Sequence, residues 1–486
     1  MKGMTGSTLY EVVAQRVTRL IDSGAYRVGD RVPSVRALST ELKVSITTVL
    51  EAYRILENRG LIEPRPQSGY YVRPRPPQPA DAPPPPRAPV EPTPVNVIDL
   101  SLRLVREGLD PRYVSLGVAY PNPDLLPSEK LSRLLAAASR RSPRMATALD
   151  VLPGCPALRV QIARRALLGG CTLSPDEFVT TCGAQEAISL TLRALCRPGD
   201  TVAVESPIFF GILQAIELQG LRAVEIDADP KEGMRMEALR AALRRHRVKL
   251  VVAIPSFNNP LGSCMPDEKR RELARMLASR DVPFLEDDMV GELHHGTTRP
   301  RMVKSYDTRG LVLACGSFSK VLAPGYRVGW LAPGRFQREI QRLKAMSTIA
   351  TSTPVQMAIA EFLDHGGYDR YLRHVRRVYA ANIHALARAV VRSFPTGTSV
   401  SWPAGGYVLW VRMPPGVDAL LLYERALRAG ATIAPGHIFS PRQRFRHFVR
   451  LNASTWSPEV DAAIATIGRI AGELARIPAA RGTHRT

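Results

Sequence analysis

The sequence predicts a multidomain chain, with a small, mostly α-helical unit followed by a large α/β unit built on a mostly parallel sheet. Apolar residues recur at helical spacing in the first 73 residues, whereas strand-like runs alternate with helical patterns after residue 97. A proline-rich segment separates the two regions. We therefore expect domains at 1–73 and 97–486, joined by a linker at 74–96, and the hydrophobic content of 45% is ample for a sizeable core.

Composition narrows the classes of protein that fit. The net charge of +22 indicates an acidic partner such as nucleic acid, but the excess is spread over the chain and does not locate a binding site. The six cysteines are scattered without a C-x-x-C pair, so we expect reduced thiols and neither disulfides nor a metal site. No apolar run approaches the roughly 18 residues of a membrane span, and no signal-peptide core precedes Leu9, so we expect a cytoplasmic protein.

Three helical patterns fill most of the first 73 residues. The first ends at Gly24, the second has Ser34 as its N-cap, and the third follows Ser45 and closes at Gly60. In the first helix, apolar residues fall on one face at helical spacing: Leu9, Val12, Val13, Val17, Leu20 and Ile21. In the third helix, Val49, Tyr53 and Leu56 are expected to face the core.

Two short strand patterns follow, at 61–63 and 70–72, with a turn at 67–69 between them. Helix, helix-turn-helix and hairpin in this order are typical of a winged helix-turn-helix. The segment 8–73 resembles the DNA-binding domain of the GntR family, which it matches in Gly29-Asp30-Arg31-Val32-Pro33-Ser34-Val35-Arg36 and in Ser45-Ile46-Thr47-Thr48-Val49. The alternative is a three-helix packing module that does not bind DNA.

The GntR resemblance implies that the third helix enters the major groove of a double-stranded DNA operator. The family often has arginine where this chain has Ile46, which removes a possible guanine or phosphate contact, so relatives do not predict the operator sequence. The side chains implied nearest the bases are Ser45, Thr47 and Thr48, and those implied at phosphates are Arg36, Arg65 and the wing tip.

The predicted linker is rich in proline, which occupies 11 of the 21 positions from Pro74 to Pro94. Proline has no backbone N–H group, so neither a helix nor a central strand is expected, and extended polyproline II is favoured. At about 3.1 Å per residue the segment could span on the order of 65 Å. We expect a semi-rigid tether, long enough to set one domain over a neighbouring subunit.

The alternation after residue 97 predicts helices on both faces of the parallel sheet. Ligands of such sheets gather at the carboxyl ends of the strands. Three polar residues follow predicted strands there: Asn259, Asp287 and Lys320. The expected strands are 201–205, 223–226, 249–254, 283–286, 311–315 and 328–331, and the expected helices include 184–196, 236–246 and 267–279.

The stretch Gly316-Ser317-Phe318-Ser319-Lys320-Val321-Leu322-Ala323-Pro324-Gly325-Tyr326-Arg327 has the clearest chemistry. The amine of Lys320 can form a Schiff base with a carbonyl compound, while Ser317, Ser319 and Arg327 can hold a phosphate. Taken alone, such a lysine is more often a solvated residue at a strand end. The interpretation therefore depends on residues elsewhere in the chain.

Further residues suit a ligand with an aromatic ring, a phosphate and a carboxylate. Each has a plainer alternative when taken alone: an ion pair, a strand–helix turn, a core phenylalanine, a turn asparagine or a surface arginine. The candidates are Asp287 for a pyridine nitrogen, Gly183 and Ala184 at a helix start for a phosphate, Phe209 for ring stacking, Asn259 for a phenolate oxygen and Arg450 for a carboxylate.

In order and spacing, residues from about 114 to 452 resemble the aspartate aminotransferase superfamily, the fold-type I pyridoxal-phosphate enzymes. Two further segments match: Gly117-Val118-Ala119-Tyr120-Pro121-Asn122-Pro123-Asp124-Leu125-Leu126-Pro127 and Gly154…Leu158-Arg159. The resemblance implies a domain that binds pyridoxal 5′-phosphate (PLP). The implied roles are Lys320 bonded to PLP and Asp287 at its pyridine nitrogen, both catalytic, with Asn259 at the ring oxygen, Phe209 stacked on the ring, Gly183, Ala184, Ser317, Ser319 and Arg327 around the phosphate, and Arg450 at the amino-acid carboxylate.

Two departures from the superfamily make efficient turnover doubtful. The chain reads Asp287-Asp288-Met289-Val290 where a tyrosine usually donates to the ring oxygen. It also reads Ala148-Leu149-Asp150 where a tyrosine often reaches the partner subunit's cofactor. We expect cofactor binding to survive both losses. His294-His295 does not indicate a metal, because adjacent imidazoles on a strand point to opposite faces, and we expect none.

A GntR-like DNA-binding domain, a proline-rich tether and an aminotransferase-like body together resemble the MocR family of bacterial regulators. The resemblance implies a PLP-dependent transcription factor that senses an amino acid, an amine or PLP itself, and a head-to-tail homodimer located at the nucleoid when bound to DNA. In the expected mechanism, an amine-bearing effector takes the place of Lys320 on PLP, is anchored at Arg450 and closes the cleft. The alternatives are an active aminotransferase with an appended DNA-binding domain, and a regulator with a vestigial body that binds no PLP.

Overall fold

The computed structural model describes residues 9–58, 61–65, 68–72, 91–150, 152–365 and 367–476. The described residues up to 72 form one compact unit and those from 91 onward form another. None of their helices has the length and apolar character needed to cross a membrane.

The helices are α1 (Leu9–Asp22), α2 (Val35–Leu42), α3 (Ile46–Asn58), α4 (Ile98–Gly108), α5 (Ser128–Arg141), α6 (Pro143–Thr147), α7 (Pro156–Leu168), α8 (Ala184–Leu195), α9 (Phe210–Leu218), α10 (Met236–Arg245), α11 (Asp267–Ser279), α12 (Gln337–Ala345), α13 (Thr353–Asp364), α14 (Gly367–Ser393), α15 (Ala419–Arg428) and α16 (Pro458–Ala475). The strands are β1 (Ile62–Arg65), β2 (Gly69–Val72), β3 (Thr93–Pro94), β4 (Val114–Ser115), β5 (Val179–Thr181), β6 (Thr201–Ser206), β7 (Arg222–Asp229), β8 (Gly233–Met234), β9 (Val248–Ala253), β10 (Phe284–Asp287), β11 (Val312–Ser317), β12 (Gly329–Ala332), β13 (Ser399–Val400), β14 (Val408–Arg412), β15 (Ala431–Thr432), β16 (Ala434–Pro435) and β17 (Phe448–Asn452).

The N-terminal unit has three helices and a hairpin, which confirms the predicted winged helix-turn-helix. The Ser34 hydroxyl caps α2 by accepting a hydrogen bond from the Ala37 N–H at 3.2 Å. The Ser45 hydroxyl accepts one from the Thr48 N–H at 3.1 Å and caps α3 in the same way. Strands β1 and β2 pair antiparallel. Gly60 and the wing-tip residue Gln67 lie outside the described residues.

The packed face of α1 is narrower than the sequence pattern predicts. Val13, Val17 and Ile21 are buried as expected, and the small Ala14 joins them. In so small a unit only one stripe of the helix meets α3, so apolar residues to either side of it stay in solvent. Leu9, Val12 and Leu20, which belong to the same apolar face in the sequence, are exposed. The predicted core residues of α3, which are Val49, Tyr53 and Leu56, are buried.

The large unit is built on a central sheet whose described strands run in the order β3-β7-β6-β9-β10-β11-β12-β5. Neighbours from β7 to β11 are parallel, whereas β3, β12 and β5 pair antiparallel. This confirms the predicted α/β fold with a mostly parallel sheet. All six predicted strands and all three predicted helices occur within one to three residues of their expected bounds.

Both faces of the central sheet are covered by helices because its strands are apolar on both sides. On β6, Val202 and Val204 pack in one core cluster with α8 and α9. Ala203, which points the other way, packs in a second cluster with α10 and α11. The sheet is therefore buried, and its ligand-binding edge is left at the carboxyl ends of the strands.

The predicted linker ends inside the large unit. Thr93 pairs antiparallel with Ala223 of β7, at the edge of the sheet where proline is tolerated. Val95 is buried in the core that also contains α8. The large unit therefore includes residues 91–96, which the sequence alone places in the linker, and residues 74–90 lie outside the described part of the chain.

A smaller antiparallel sheet, β13-β14-β17-β16, packs with α15 and α16 near the C-terminus. Its strand β17 carries Arg450, which is opposite Trp410 of β14 and Ala434 of β16. This sheet therefore sets Arg450 on a central, buried strand that is paired on both sides.

Candidate functional site

The carboxyl ends of three neighbouring parallel strands supply the predicted polar residues. Asp287 ends β10, Asn259 follows β9, and Lys320 follows β11. All three line one cleft of about 500 Å³, counting its open mouth, a size typical of small-molecule sites. The structure thus brings together residues that are up to 61 positions apart in the sequence.

The amine of Lys320 lies inside this cleft and is held by two neighbouring residues. Its nitrogen donates a hydrogen bond to the Ala119 carbonyl at 2.7 Å and lies 4.0 Å from the centre of the Tyr120 ring. Burial, together with the positive charges of Arg450 and Arg327, lowers the pKa of Lys320 to about 7. A large fraction of this amine is therefore neutral, and hence nucleophilic, near neutral pH.

Asp287 is a buried carboxyl, with 2% of its surface exposed. Its Oδ1 accepts a hydrogen bond from the Met289 N–H at 3.1 Å. Burial, together with the neighbouring charge of Asp288, raises the pKa of Asp287 to about 7. Because burial makes ionisation of the Asp287 carboxyl unfavourable, a cationic N–H partner such as a protonated ring nitrogen would strongly stabilise its carboxylate form.

Groups suited to a phosphate converge where α8 begins. Gly183 adopts a positive φ of 82° just before the helix, whose first N–H groups have no acceptor within it. A Cβ atom at Gly183 would lie only 2.7 Å from Nη2 of Arg327, so glycine lets the guanidinium approach the helix start. Nη1 of Arg327 donates to the Ser319 hydroxyl at 3.0 Å, and the Ser317 hydroxyl lies 2.9 Å from that of Ser319. A cationic fork, hydroxyls and a helix N-terminus together suit a dianion.

Arg450 is buried, with 1% of its surface exposed, so it is not the surface arginine of the alternative interpretation. Its Nη1 donates to Oδ1 of Asn259 at 3.1 Å, and its Nη2 donates to the Gly117 carbonyl. Its Nε is buried without a hydrogen-bond partner, and no carboxylate of the described residues forms an ion pair with it. Burial lowers the pKa of Arg450 to about 9. A carboxylate ligand would relieve this uncompensated charge.

Phe209 and Asn259 are both oriented towards the cleft. Phe209 directly precedes α9, and its ring occupies the space that a side chain at Gly211 would need, since a Cβ there would lie 2.4 Å from a ring carbon. The oxygen of Asn259 accepts from Arg450, which leaves the amide nitrogen of Asn259 as a donor for another group.

Three aromatic residues at or beside the cleft have no role predicted from the sequence. Tyr120, whose ring lies against the Lys320 amine, belongs to the 117–127 segment that matches the superfamily. Tyr407, whose hydroxyl donates to the Lys320 carbonyl at 3.3 Å, comes 87 positions later and has no local signal. Phe257 lines the cleft from a left-handed backbone conformation with φ of 56°, which no sequence pattern predicts. Val290, in place of the usual tyrosine, also lines the cleft.

His294 and His295 each bond to a different backbone carbonyl. Nδ1 of His294 pairs with the Gly296 oxygen at 2.7 Å, and Nε2 of His295 pairs with the Gly406 oxygen at 2.9 Å. Burial lowers the pKa of both rings to about 4, so both are neutral. The described residues contain no group of three or more potential metal ligands.

The residues predicted to approach DNA bases lie at the start of α3. Ser45 and Thr47 are exposed and Thr48 is partly exposed. The Ser45 hydroxyl is also within 2.8 Å of the Thr47 hydroxyl and 2.7 Å of the Thr48 hydroxyl. Ser45 is therefore engaged in capping the helix, and Thr47 is the more available side chain. Ile46 is 49% exposed beside them.

The two predicted phosphate contacts are both exposed. Arg36 lies in the first turn of α2. Arg65 ends β1, where its guanidinium lies 4.3 Å from the centre of the Tyr71 ring and 3.4 Å from the Glu63 carboxylate. Such an exposed pair with Glu63 is weak, so Arg65 can exchange it for a phosphate at little cost.

Comparisons with known proteins agree with both units. Residues 126–467 match the family of class I and II aminotransferases, and residues 9–72 match the bacterial regulatory proteins of the gntR family. The uncharacterized HTH-type transcriptional regulator YdcR of Escherichia coli K12 is 38% identical over 96% of this chain and 99% of its own. The chain belongs to the MocR-type regulators. These proteins join a GntR-type DNA-binding domain to an aminotransferase domain.

Other similar proteins fall into the same two groups. The HTH-type transcriptional regulator TauR of Rhodobacter capsulatus is 30% identical over 95% of this MocR-type chain and 96% of its own. The crystal structure of the α-aminoadipate aminotransferase LysN of Thermus thermophilus superposes with a TM-score of 0.71 at 29% identity, covering 76% of this chain and 95% of LysN.

PLP is the cofactor of this MocR-type chain, as the family and its PLP-bound structural neighbours indicate. The residues present fit it. A cradle for a dianion surrounds Gly183, a buried carboxyl with a raised pKa is available at Asp287, and an amine with a pKa near 7 is available at Lys320. The chain is thus a PLP-dependent transcriptional regulator with a DNA-binding domain.

Proposed function

We propose that this MocR-type regulator binds an amino acid in the cleft beside PLP and that this binding changes its affinity for an operator. The observation that supports the proposal is the buried guanidinium of Arg450, whose charge no described carboxylate balances. It contacts Asn259, a lining residue of the cleft that contains Lys320 and Asp287. An amino-acid carboxylate is a group that would balance this buried charge.

PLP, when bound, supplies an electrophilic carbonyl carbon that combines with primary amines. Lys320 would hold that carbonyl, and Asp287 would keep a proton on the ring nitrogen. The other residues that would hold the cofactor are Asn259 at the ring oxygen, Phe209 against the ring, and Gly183, Ala184, Ser317, Ser319 and Arg327 at the phosphate.

Lys320 can take up or release a proton near neutral pH, because burial lowers its pKa to about 7. The Ala119 carbonyl and the Tyr120 ring both favour the protonated amine. Displacement of either group therefore favours the neutral amine. An effector that displaces Ala119 or Tyr120 from the Lys320 amine would therefore favour the neutral form of that amine.

This segment is also tied to the arginine that would bind the effector. Arg450 donates to the Gly117 carbonyl, and the side-chain amide of Asn452, two residues later on β17, donates to the Tyr120 carbonyl at 3.1 Å. A carboxylate at Arg450 competes with Gly117 for the guanidinium. A carboxylate bound at Arg450 would therefore shift the segment at 117–120, which contacts Lys320. An effector would in this way favour one of two positions of that segment.

At the DNA, the start of α3 would enter the major groove, with Thr47 and Thr48 at the bases and Arg36 and Arg65 at phosphates.

The regulator would act in the bacterial cytoplasm as a head-to-tail homodimer. Exposed apolar residues support self-association: Leu149 is 72% exposed and Ile349 is 54% exposed. Their segments are neighbours, because the side-chain amide of Gln356 donates to the Asp150 carboxylate at 2.9 Å and to the Thr351 carbonyl at 2.8 Å.

The homodimer is tested by sedimentation equilibrium of the PLP-loaded chain. The twofold mass of the 53.4 kDa chain is expected. A charge at the apolar patch, as in Leu149→Asp, is expected to raise the dimer dissociation constant, whereas Leu218→Asp at another exposed position serves as the matched control. A monomer at all concentrations, or equal effects of the two variants, contradicts this assembly.

The sensing function is tested with full-length, PLP-loaded protein and DNA from beside its own gene. Amino acids are first screened by the cofactor's absorbance, and operator affinity is then measured by fluorescence anisotropy with and without each one. Lys320→Ala and Arg450→Gln should abolish the effect of the amino acid on DNA affinity, whereas Arg469→Gln, an exposed arginine paired with Glu473, should retain it. Retention in Lys320→Ala contradicts the mechanism. Steady release of a 2-oxo acid would favour the aminotransferase alternative.

A further inference from the structure

Apart from the residues assigned to the cofactor, the lining of the cleft is apolar. Among its described lining residues, Lys320 and Asp287 are the charged ones. The hydroxyl of Tyr407 already donates to the Lys320 carbonyl. The remaining large side chains of the lining are Ile254, Phe257, Met289, Val290 and Val408.

Phe257 is fixed in place by its own backbone and by a glycine. Its φ of 56° is in the left-handed region, which bulky residues rarely adopt. A Cβ atom at Gly405 would lie 2.6 Å from three ring carbons of Phe257, so the ring lies directly against the glycine backbone. The ring is 3% exposed and cannot swing away without moving that backbone.

Two further residues continue the surface that Phe257 begins. A Cβ atom at Gly406 would lie 3.9 Å from the Phe257 Cβ and 4.0 Å from Cγ2 of Val290. The Gly406 N–H donates to the Leu293 carbonyl at 2.9 Å, which ties this segment to the chain just after Val290. Phe257, Val290 and Gly406 therefore form one continuous surface of the cleft, which we name the apolar wall.

The loop that carries Phe257 is anchored by buried hydrogen bonds. The side-chain nitrogen of Asn258 donates to Oε2 of the buried Glu205 at 2.7 Å. The side-chain oxygen of Asn258 accepts a hydrogen bond from the Leu261 N–H at 3.1 Å, and its backbone carbonyl accepts one from the Gly262 N–H at 2.6 Å. Because these contacts hold the strained conformation, the apolar wall is formed before any ligand binds.

We propose that the effector is an α-amino acid with an apolar side chain, aliphatic or aromatic, and that Phe257 and Val290 select it. This inference rests on the proposed binding of an amino acid in the cleft. Burial of an apolar side chain against the wall is favourable. A side chain ending in a second carboxylate or in an ammonium group would lose its hydration there without gaining a partner.

The inference is tested by calorimetric titration of the full-length, PLP-loaded protein with L-leucine, L-glutamate and L-lysine. These ligands share the α-amine and the carboxylate and differ in the side chain. Leucine is expected to bind at least about tenfold more tightly than the other two. Phe257→Asn suits the left-handed backbone but makes the wall polar, and it should weaken leucine binding about tenfold while leaving glutamate binding within about twofold. Phe257→Leu is the matched control, and it should keep the preference.

Val290→Arg gives a second measurement that does not depend on Phe257, and a guanidinium, unlike a lysine amine, does not compete for the PLP carbonyl. The added positive charge should bring glutamate to an affinity equal to or above that of leucine, and melting temperatures with and without PLP check that each variant folds and binds the cofactor. Binding of glutamate or lysine as tight as that of leucine overturns the inference but leaves the proposed function standing. An unchanged leucine-to-glutamate ratio in both Phe257→Asn and Val290→Arg also overturns it. If no amino acid binds, the proposed function fails as well.

Discussion

The side-chain nitrogen of Lys320 lies 4.0 Å from the centre of the Tyr120 ring and 2.7 Å from the carbonyl oxygen of Ala119. The negative face of the ring and the carbonyl both attract the protonated amine, while burial and the charges of Arg450 and Arg327 oppose it. The amine is therefore balanced between its two protonation states near neutral pH. The side chain at position 120 therefore contributes to the pKa of Lys320.

Replacement of Tyr120 by leucine is expected to lower the pKa of Lys320 by about 0.4–1.5, because a cation–π contact contributes roughly 0.5–2 kcal/mol. The rate at which the apoprotein combines with PLP follows the neutral amine, so its half-maximal pH should fall in Tyr120→Leu. Tyr120→Phe keeps the ring face and should match the unmodified protein. Equal shifts in the two variants would instead assign the effect to the hydroxyl group.

Asp287 should make the apoprotein less stable as the pH rises. Its pKa is raised by burial to about 7 in the folded state, so the folded chain retains a proton that the unfolded chain loses near pH 4. Stability therefore falls between about pH 4 and pH 7 and stays low above that range. At about pH 8, Asp287→Asn should raise the melting temperature of the apoprotein, a gain on the order of 4 kcal/mol in the free energy of unfolding.

The same Asp287→Asn variant should bind PLP more weakly, because an amide cannot balance a protonated ring nitrogen. The increase in melting temperature on adding PLP should thus shrink. Asp281→Asn is the control, since the pKa of this exposed carboxyl is lowered by Arg335 and its loss should not stabilise the chain at any pH. A lower apoprotein melting temperature in Asp287→Asn at about pH 8 would contradict the raised pKa.

Much of the fold follows from the sequence because its signals are local. The pattern at 267–279 predicts a helix whose bounds match α11, since a proline, two acidic residues and an apolar face at helical spacing all occur within one segment. On α1 the same reasoning fails for Leu9, Val12 and Leu20, because which apolar residues are buried depends on where α3 packs. Ala14 contributes to that packing although its side chain is small.

The residues of the candidate site also fall into those that the sequence predicts and those that it does not. Lys320, Asp287 and Asn259 could be predicted because each follows a strand, and the ends of parallel strands meet at one edge. Phe257 and Tyr407 could not, since the first depends on a backbone conformation and the second comes from a segment 87 positions after Lys320. Contacts of that kind become visible only when the segments are packed together.

Arg327 should matter for PLP but not for pyridoxal, which lacks the phosphate. Its guanidinium donates to the Ser319 hydroxyl and lies against Gly183 at the start of α8. Loss of charge-assisted hydrogen bonds worth roughly 1.5–3 kcal/mol each predicts that Arg327→Gln weakens PLP binding by about tenfold or more. Titration of cofactor absorbance with PLP and with pyridoxal measures the difference. Arg335→Gln, an exposed arginine paired with Asp281, is the matched control. Equal losses for both ligands would place the phosphate elsewhere.

Arg36 and Thr47 should affect DNA binding in different ways, because one is predicted at a phosphate and the other at a base. Arg36→Gln should weaken binding to operator and unrelated DNA alike and make the slope of log affinity against log salt shallower by about 0.9, as one lost phosphate contact requires. Thr47→Ala should change the preference among operator variants at an unchanged salt slope. Arg112→Gln, an exposed arginine paired with Asp110 in the large unit, removes the same charge and should alter neither quantity. Ser45→Ala is unsuitable for this test, since loss of the α3 cap costs about 1 kcal/mol of stability. A salt slope that is unchanged in Arg36→Gln would show that this arginine does not contact the DNA backbone.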